Sequence, residues 1–293
     1  MKKIIFALFT FTTLSLSAQV KPKKEKLWKK TAEMSMNFSQ ASFSNNWQGG
    51  GTNNIALLAT ANMTASYKKG KTSWGNKANM QYGILKNKGE EMRKSNDILF
   101  LDTKYGHQLS SKWNAFAAIN FLSQFDNGYK FTKDYHDATI RTKISAFMSP
   151  AYLIESFGIE YKPKPYFDAR LGLGSTKQTF VLDQSLYNAT DTIKYGVPVG
   201  KKVINEFGFQ LLANFDKNIY KDIVNLKVRY VGFFDYDKLI KPDRWSQRVD
   251  IILTAKISKY INVTFNSVLL YDHFQHRSWQ TSQIFGLGIS YKK

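Results

Sequence analysis

The feature that most constrains this chain is an alternation of apolar and polar residues with a period of two. Between 245 and 257, Trp245, Val249 and Leu253 fall on one face, while Arg248 and Asp250 fall on the other. Successive side chains of a β-strand point to opposite faces, whereas a helix repeats every 3.6 residues. The pattern therefore predicts strands with one apolar and one polar face.

The same alternation recurs in about a dozen stretches of roughly 9–16 residues, separated by turn-like breaks such as 69–71 and 126–128. We predict an all-β fold, a single antiparallel up-and-down transmembrane β-barrel of about 12 strands, with 14 as the alternative. The barrel is expected to occupy residues 31–293. The longest irregular stretch, near 181–202, is predicted to be an external loop.

Alternation alone also fits a soluble barrel with its apolar faces inward. Three features favour a membrane barrel instead, in which the apolar faces contact lipid. The strands are long enough to cross a bilayer, which takes ~9–11 tilted residues. Aromatic residues, including Trp74, Trp113 and Trp279, stand towards strand ends, where membrane girdles would lie. The polar faces are rich in small, amide and charged residues, which suits a narrow lumen.

The first residues resemble an export signal. Lys2 and Lys3 precede an apolar stretch that runs to Leu16, and small residues follow at Ser17 and Ala18. We predict a signal peptide over 1–18 that is cleaved, followed by a basic flexible arm over 19–30. After residue 19 no apolar run approaches the ~20 residues of a helical span. The predicted localisation is the outer membrane of a Gram-negative cell.

Several short motifs resemble an uncharacterised family of exported Bacteroidota proteins, the domain of unknown function 3078. They are the segment 38–51, Trp74-Gly75-Asn76 with Tyr82-Gly83, the run 94–97, and 149–152. The likeness spans most of the mature chain and is closest over 34–185. It implies an outer-membrane β-barrel without an assigned activity, and it transfers no catalytic or binding residues.

Charged residues on the predicted polar faces are the binding candidates. Basic residues outnumber acidic ones, seven to four. The candidates are Arg141, Lys143, Glu160, Asp168, Arg170, Glu206, Lys227, Arg229, Arg248, Asp250 and Lys256. Two interpretations remain open: an ion-pair network that plugs a narrow barrel, or a pathway biased towards anionic solutes.

No catalytic or metal motif is found, so we expect neither an enzyme nor a cofactor. The chain has no cysteine, which excludes disulfides and thiol chemistry. His273 and His276 are three residues apart and would point to opposite faces of a strand. His107, with Ser110 and Ser111 nearby, is the one candidate for hydrolysis of envelope lipid.

The net charge of +20 indicates either that the protein contacts anionic partners or that its lysines serve solubility. Lysines cluster at predicted turns, which suits contact with outer-membrane lipid or lipopolysaccharide better than nucleic acid. Three functions follow as hypotheses: a narrow channel or transporter, a structural barrel that binds an envelope partner through its outer loops, and a soluble periplasmic binding barrel. The small solute or envelope protein is not identified by the sequence.

Overall fold

The computed structural model describes residues 27–44, 52–136, 138–239, 241, 245–258 and 260–292. The predicted signal peptide, most of the predicted arm and residues 45–51 lie outside them. Within them the strands are β1 (Trp28–Ala41), β2 (Asn54–Lys69), β3 (Thr72–Asn87), β4 (Arg93–Gln108), β5 (Trp113–Ser123), β6 (Gly128–Lys133), β7 (Thr139–Ser145), β8 (Ala151–Lys164), β9 (Phe167–Phe180), β10 (Ile193–Lys194), β11 (Val197–Pro198), β12 (Val203–Tyr220), β13 (Val224–Asp235), β14 (Ser246–Lys256), β15 (Ile261–Asp272) and β16 (His276–Lys292). Short 3₁₀ turns cover Gln184–Leu186 and Tyr236–Lys238. Among these residues, no helix has the length and hydropathy needed to cross a membrane.

Twelve of the strands form one closed antiparallel barrel. Its order is β1-β2-β3-β4-β5-β8-β9-β12-β13-β14-β15-β16, and β16 pairs back with β1. Each strand therefore pairs with the wall strands before and after it in the chain. The predicted single up-and-down barrel of about 12 strands is confirmed, and the alternative of 14 is not observed.

Residues 138–148 alternate in the way that a wall strand does, which is why Arg141 and Lys143 are predicted to face the lumen, but the structure places β7 elsewhere. β7 pairs with β6 in a separate two-stranded sheet, in the connection between β5 and β8. Strands of six and seven residues are too short to cross a bilayer, which takes ~9–11 residues. β7 is therefore one arm of a hairpin, and its residues Arg141 and Lys143 do not belong to the barrel wall.

The barrel presents its apolar residues outward and its polar residues inward. Phe285, Phe207 and Ile289 on the outer face are 68%, 67% and 67% exposed, whereas Glu160 and Arg170 on the inner face are 3% and 4% exposed. A water-soluble barrel has the opposite arrangement. The alternative with apolar faces inward is therefore wrong.

The two ends of the barrel differ. Connections at one end, the short-turn end, are brief, as at 70–71 and 165–166. Connections at the other end, the loop end, include the long segments 124–150 and 181–202. β1 begins at the short-turn end with Trp28, so residues 28–30 belong to the wall and not to the predicted arm.

Aromatic residues cluster on the outside near both ends. At the short-turn end, the Trp28 ring lies 5.3 Å from that of Tyr67 and 6.0 Å from that of Trp74. At the loop end, the rings of Tyr271 and Trp279 are 5.5 Å apart. Bands of Trp and Tyr at two levels are typical of side chains that sit in the interfaces of a bilayer.

Candidate functional site

The lumen contains a cavity of about 780 Å³. Its lining begins at the loop end, with Tyr129, Ile144 and Tyr195, and reaches Asp216 and Lys227 towards the short-turn end. Eleven of the twelve wall strands contribute residues to its lining, and β1 is the exception. The interior is therefore only partly filled by side chains.

Nine charged residues form a central charge layer across the lumen, because the sheet register and ion pairs bring them to neighbouring positions on the inner wall. They are Lys77, Asp102, Lys104, Glu160, Asp168, Arg170, Arg229, Arg248 and Asp250. Arg170 is the centre of one half of it. Its Nη1 lies 3.5 Å from Asp102 Oδ1, and its Nε lies 3.3 Å from Glu160 Oε1 and 3.5 Å from Asp168 Oδ2. One buried guanidinium thus faces three carboxylates on three strands, and none of the four side chains could ionise at low cost alone.

Further donors share these carboxylates. The Lys104 ammonium donates to Glu160, and Asn114 Nδ2 donates to the other oxygen of Glu160 at 3.1 Å. Asn214 Nδ2 donates to Asp168 Oδ2 at 2.8 Å. Each acid of this half of the layer is therefore already occupied by protein donors.

An amide relay extends the network around the wall. Asn120 donates to Asp102, and Gln210 Nε2 donates to Asn120 Oδ1 at 3.1 Å. Ser156 Oγ donates to Gln210 Oε1 at 3.0 Å. These four residues come from four wall strands, so the relay fixes the cross-section of the barrel on this side.

The other half of the layer is built differently. Arg248 Nε donates to Asp250 Oδ1 and Oδ2 at 2.9 and 3.0 Å within the same strand, and its Nη2 donates to Oδ1 at 2.6 Å. The guanidinium carbon of Arg229 lies 3.6 Å from the centre of the Phe100 ring. β13 and β4 are five strands apart around the ring of twelve, so this contact bridges the lumen.

A second charged group, the loop-end cluster, lies above the layer. Lys177 Nζ is 3.2 Å from Glu206 Oε2 and 3.8 Å from Asp272 Oδ2, and Lys238 Nζ is 3.1 Å from Glu206 Oε1. Lys238 also donates to Asp235. This cluster ties the inner wall to the turn that follows β13.

The loop 181–202 packs around a core of its own, made of Val181, Leu186 and Val197. Tyr195 donates its hydroxyl to the carbonyl of Ile144 at 2.5 Å, which joins the loop to the β6–β7 hairpin. Burial raises the pKa of Tyr195 to about 12, so this hydroxyl remains a donor at neutral pH. The loop thus forms a folded cap over part of the loop end.

Lys143 makes a second bond to this cap, because its ammonium donates to Asp183. That bond, together with hydrogen bonds from Ser185, lowers the pKa of Asp183. The sequence predicts that Lys143 lines the lumen, whereas in the structure it joins the hairpin to the cap. Arg141 stacks on Tyr129 within the hairpin, its guanidinium carbon 3.6 Å from the ring centre.

The remaining candidates belong to the barrel wall and lie in four places. Glu160, Asp168, Arg170, Arg229, Arg248 and Asp250 belong to the central charge layer, and Glu206 belongs to the loop-end cluster. Lys227, nearer the short-turn end, lies 3.6 Å from Glu33 Oε2 on β1. Lys256 is exposed at the end of β14, so it contributes to the rim of the barrel.

Sequence reasoning missed several charged residues of the lumen. They are Glu33, Lys77, Asp102, Lys104, Lys177, Asp235 and Asp272. The alternation does indicate that Lys77 and Lys104 face inward. Each lies an odd number of residues from an outward-facing aromatic residue, Trp74 and Tyr105 respectively, and so points to the opposite face of its strand. Extending the alternation through 72–87 and 93–108 would have placed both inside.

The histidine hypotheses gain no support from the geometry. His107 lies on the outer face of β4 at the short-turn end, paired across the sheet with Thr72. Ser110 Oγ accepts a hydrogen bond from the backbone N–H of Trp113 at 3.3 Å. Among the described residues, no group of three or more His, Cys, Asp or Glu side chains is arranged to hold a metal ion.

Comparison with known families confirms the resemblance over part of the chain. Residues 38–129 match the family described as "Protein of unknown function (DUF3078)". No curated protein sequence matches the chain.

The chain also has distant similarity to solved structures, three of which follow. The NanC porin is 8% identical, with 89% of this chain and 98% of that chain covered and a TM-score of 0.38. An outer membrane channel from Pseudomonas putida F1 is 9% identical, with 90% and 94% covered and a TM-score of 0.39. The translocator domain of the autotransporter NalP from Neisseria meningitidis is 10% identical, with 89% and 87% covered and a TM-score of 0.35.

Proposed function

We propose that this chain is an outer-membrane β-barrel whose lumen is a narrow passage biased towards small anionic solutes. The observation that carries the proposal is the cavity of about 780 Å³, which is lined from the loop end towards the short-turn end. The membrane placement is supported by the closed sheet, the exposed apolar exterior and the aromatic residues near both ends.

The charge of the cavity supports the anionic bias. Six basic side chains line it, against four acidic ones. The basic residues are Lys77, Lys94, Lys177, Lys227, Arg229 and Arg248, and the acidic residues are Asp97, Asp216, Asp250 and Asp272. A low-dielectric pore with excess positive charge lowers the barrier for anions and raises it for cations.

The passage is narrow because side chains cross it. The Arg229–Phe100 contact spans the lumen, and Gln275 Nε2 donates to Tyr152 Oη at 2.7 Å between β8 and the turn after β15. Twelve strands also enclose less space than the 16–18 strands of general porins. We therefore expect a small conductance rather than free diffusion.

Two experiments test this function in order. The first is membrane fractionation, with unboiled and boiled samples run side by side on a detergent gel. Recovery in the outer membrane with a heat-dependent shift supports the closed barrel; a soluble periplasmic protein contradicts it. The second is the reversal potential in a planar bilayer under a KCl gradient. Chloride preference supports the proposal, and cation preference or no conductance contradicts it.

The folded cap favours a second candidate function, binding of an envelope partner. Ile193 and Val199 on the cap are each 52% exposed, although the cap has its own apolar core. Exposed lysines at Lys88, Lys201 and Lys202 at the same end suit anionic lipid or lipopolysaccharide. Deleting 184–200 should disturb an envelope phenotype without unfolding the barrel; an unchanged phenotype would count against this role.

A further inference from the structure

The central charge layer contains one more base than its acids can neutralise. Its five bases are Lys77, Lys104, Arg170, Arg229 and Arg248, and its four acids are Asp102, Glu160, Asp168 and Asp250. Bases already hold all four acids: Arg170 lies between three of them, Lys104 donates to Glu160, and Arg248 holds Asp250 by three hydrogen bonds. Excess charge inside a membrane-spanning barrel is costly without a counter-ion.

The two bases of the layer that hold no acid are Lys77 and Arg229. Both line the cavity, and the side chain of Lys77 is exposed to it. Among the described residues, neither lies within the 4.0 Å of a carboxylate that an ion pair requires. Lys77 lies opposite Asp102 in the β3–β4 register, and Arg229 lies opposite Asn214, which donates to Asp168. Both cations therefore border the Arg170 network and share one region of the lumen.

Arg229 is also held in a fixed orientation. Phe100 covers one face of its guanidinium at 3.6 Å from the ring centre, and Phe100 is itself only 8% exposed. A guanidinium stacked in this way keeps its in-plane N–H groups free to bind two oxygens of one oxyanion. Lys77 supplies a mobile point charge from the other wall, on β3.

Apolar side chains lie near Arg229 and the ring of Phe100 that covers it. Val231 lies two residues along β13 from Arg229 and shares its inward face, and Leu122 pairs with Phe100 across β4 and β5. Both line the same cavity and are partly exposed to it. The cavity of about 780 Å³ is within the size range of small-molecule sites, ~300–1,000 Å³.

We propose that the lumen holds a binding site for a small organic carboxylate, with the carboxylate between Arg229 and Lys77 and the apolar body against Val231 and Leu122. This deepens the proposed function, because the solute would be the counter-ion that the layer lacks. It rests on that function only for the route of entry, since binding itself needs no conduction.

The test measures binding of benzoate to the full chain in detergent micelles by saturation-transfer NMR, with acetate and inorganic phosphate as competitors. We expect Arg229→Gln to weaken benzoate binding by about tenfold or more, and Lys77→Gln to weaken it by a smaller factor. Arg229→Lys should fall between Arg229→Gln and the unmodified chain because it keeps the charge and loses the fork. Lys71→Gln, which makes the same change of charge at an exposed turn, is the matched control.

The outcomes separate the site from the channel. Unchanged benzoate binding in both lumen variants overturns the site, and so does an equal loss in Lys71→Gln. If inorganic phosphate binds more tightly than benzoate, the assignment of the site to an organic carboxylate is wrong. If a heat-modifiability gel shows that Arg229→Gln does not fold, Lys77→Gln decides. A chain that binds benzoate without conducting keeps the site and loses the channel, whereas one that conducts chloride without binding benzoate does the reverse.

Discussion

Arg229 and Phe100 meet face to face inside the barrel, although they come from strands five positions apart in a ring of twelve. The contact joins opposite walls at the level where Arg170 gathers Asp102, Glu160 and Asp168. One stacked pair and one ion-pair network therefore cross the lumen at the same level.

Removing the ring should widen the passage. We expect Phe100→Ala to raise single-channel conductance, because the side chain that meets Arg229 across the lumen is lost. The cation–π contact is worth ~0.5–2 kcal/mol, so a modest loss of stability should accompany the change. Leu101→Ala, on the outward face of the same strand, is the control and should leave conductance unchanged. Equal conductance in both variants would contradict the bridging role.

Removing the central guanidinium should destabilise the barrel. Arg170→Met leaves three carboxylates in the lumen without their shared cation, and breaking a buried ion pair costs about 3–5 kcal/mol. Urea unfolding in lipid vesicles, followed by the gel shift of the unboiled protein, measures the free energy of unfolding. Arg141→Met, in the hairpin outside the wall, should cost about 1 kcal/mol or less. Similar losses for the two variants would show that the network does not stabilise the wall.

A glycine contact offers a test of strand packing that involves no charge. A Cβ at Gly208 would run into the carbonyl oxygen of Phe234 on the paired strand, with the carbonyl carbon at 2.8 Å. Gly208→Ala should therefore destabilise the barrel by about 1–3 kcal/mol, through displacement of backbone. Gly75→Ala is the matched control, because a Cβ there meets nothing within 4 Å. A Gly208→Ala barrel as stable as the control would contradict this packing.

Acid should loosen the cap. The bond from Lys143 holds the pKa of Asp183 below its ordinary value of 3.8, so the folded cap favours the carboxylate. Its contribution is fully present above the unfolded pKa and is lost as the pH falls through the lowered folded pKa. Limited digestion of 181–202 with pepsin, compared between pH 4.5 and pH 2.5, should show faster cleavage at the lower pH.

The control for this prediction removes the titrating group. Asp183→Asn abolishes the pH-dependent bond, so its cap should be cleaved at a rate that changes less between the two pH values. A rise in cleavage with acid as large as in the unmodified chain would mean that another group controls the cap. Pepsin activity on an unstructured peptide corrects both rates.

The sequence by itself determined the strand period and which face of each strand is polar. In β14 the alternation alone placed Arg248 and Asp250 together on one face, and the structure bonds them. This succeeds because the period of two is a local property of extended backbone, independent of what surrounds the strand.

Only the tertiary structure decided where each strand lies and which charges pair. Thr139–Ser145 has the alternation of a wall strand, but it is too short to span and pairs with β6 instead. Arg229 lies opposite Asp250 in the sheet register, yet Arg248 holds that carboxylate and Arg229 stacks on Phe100. Contacts across the lumen depend on how the sheet closes, and closure brings together residues that no local pattern relates.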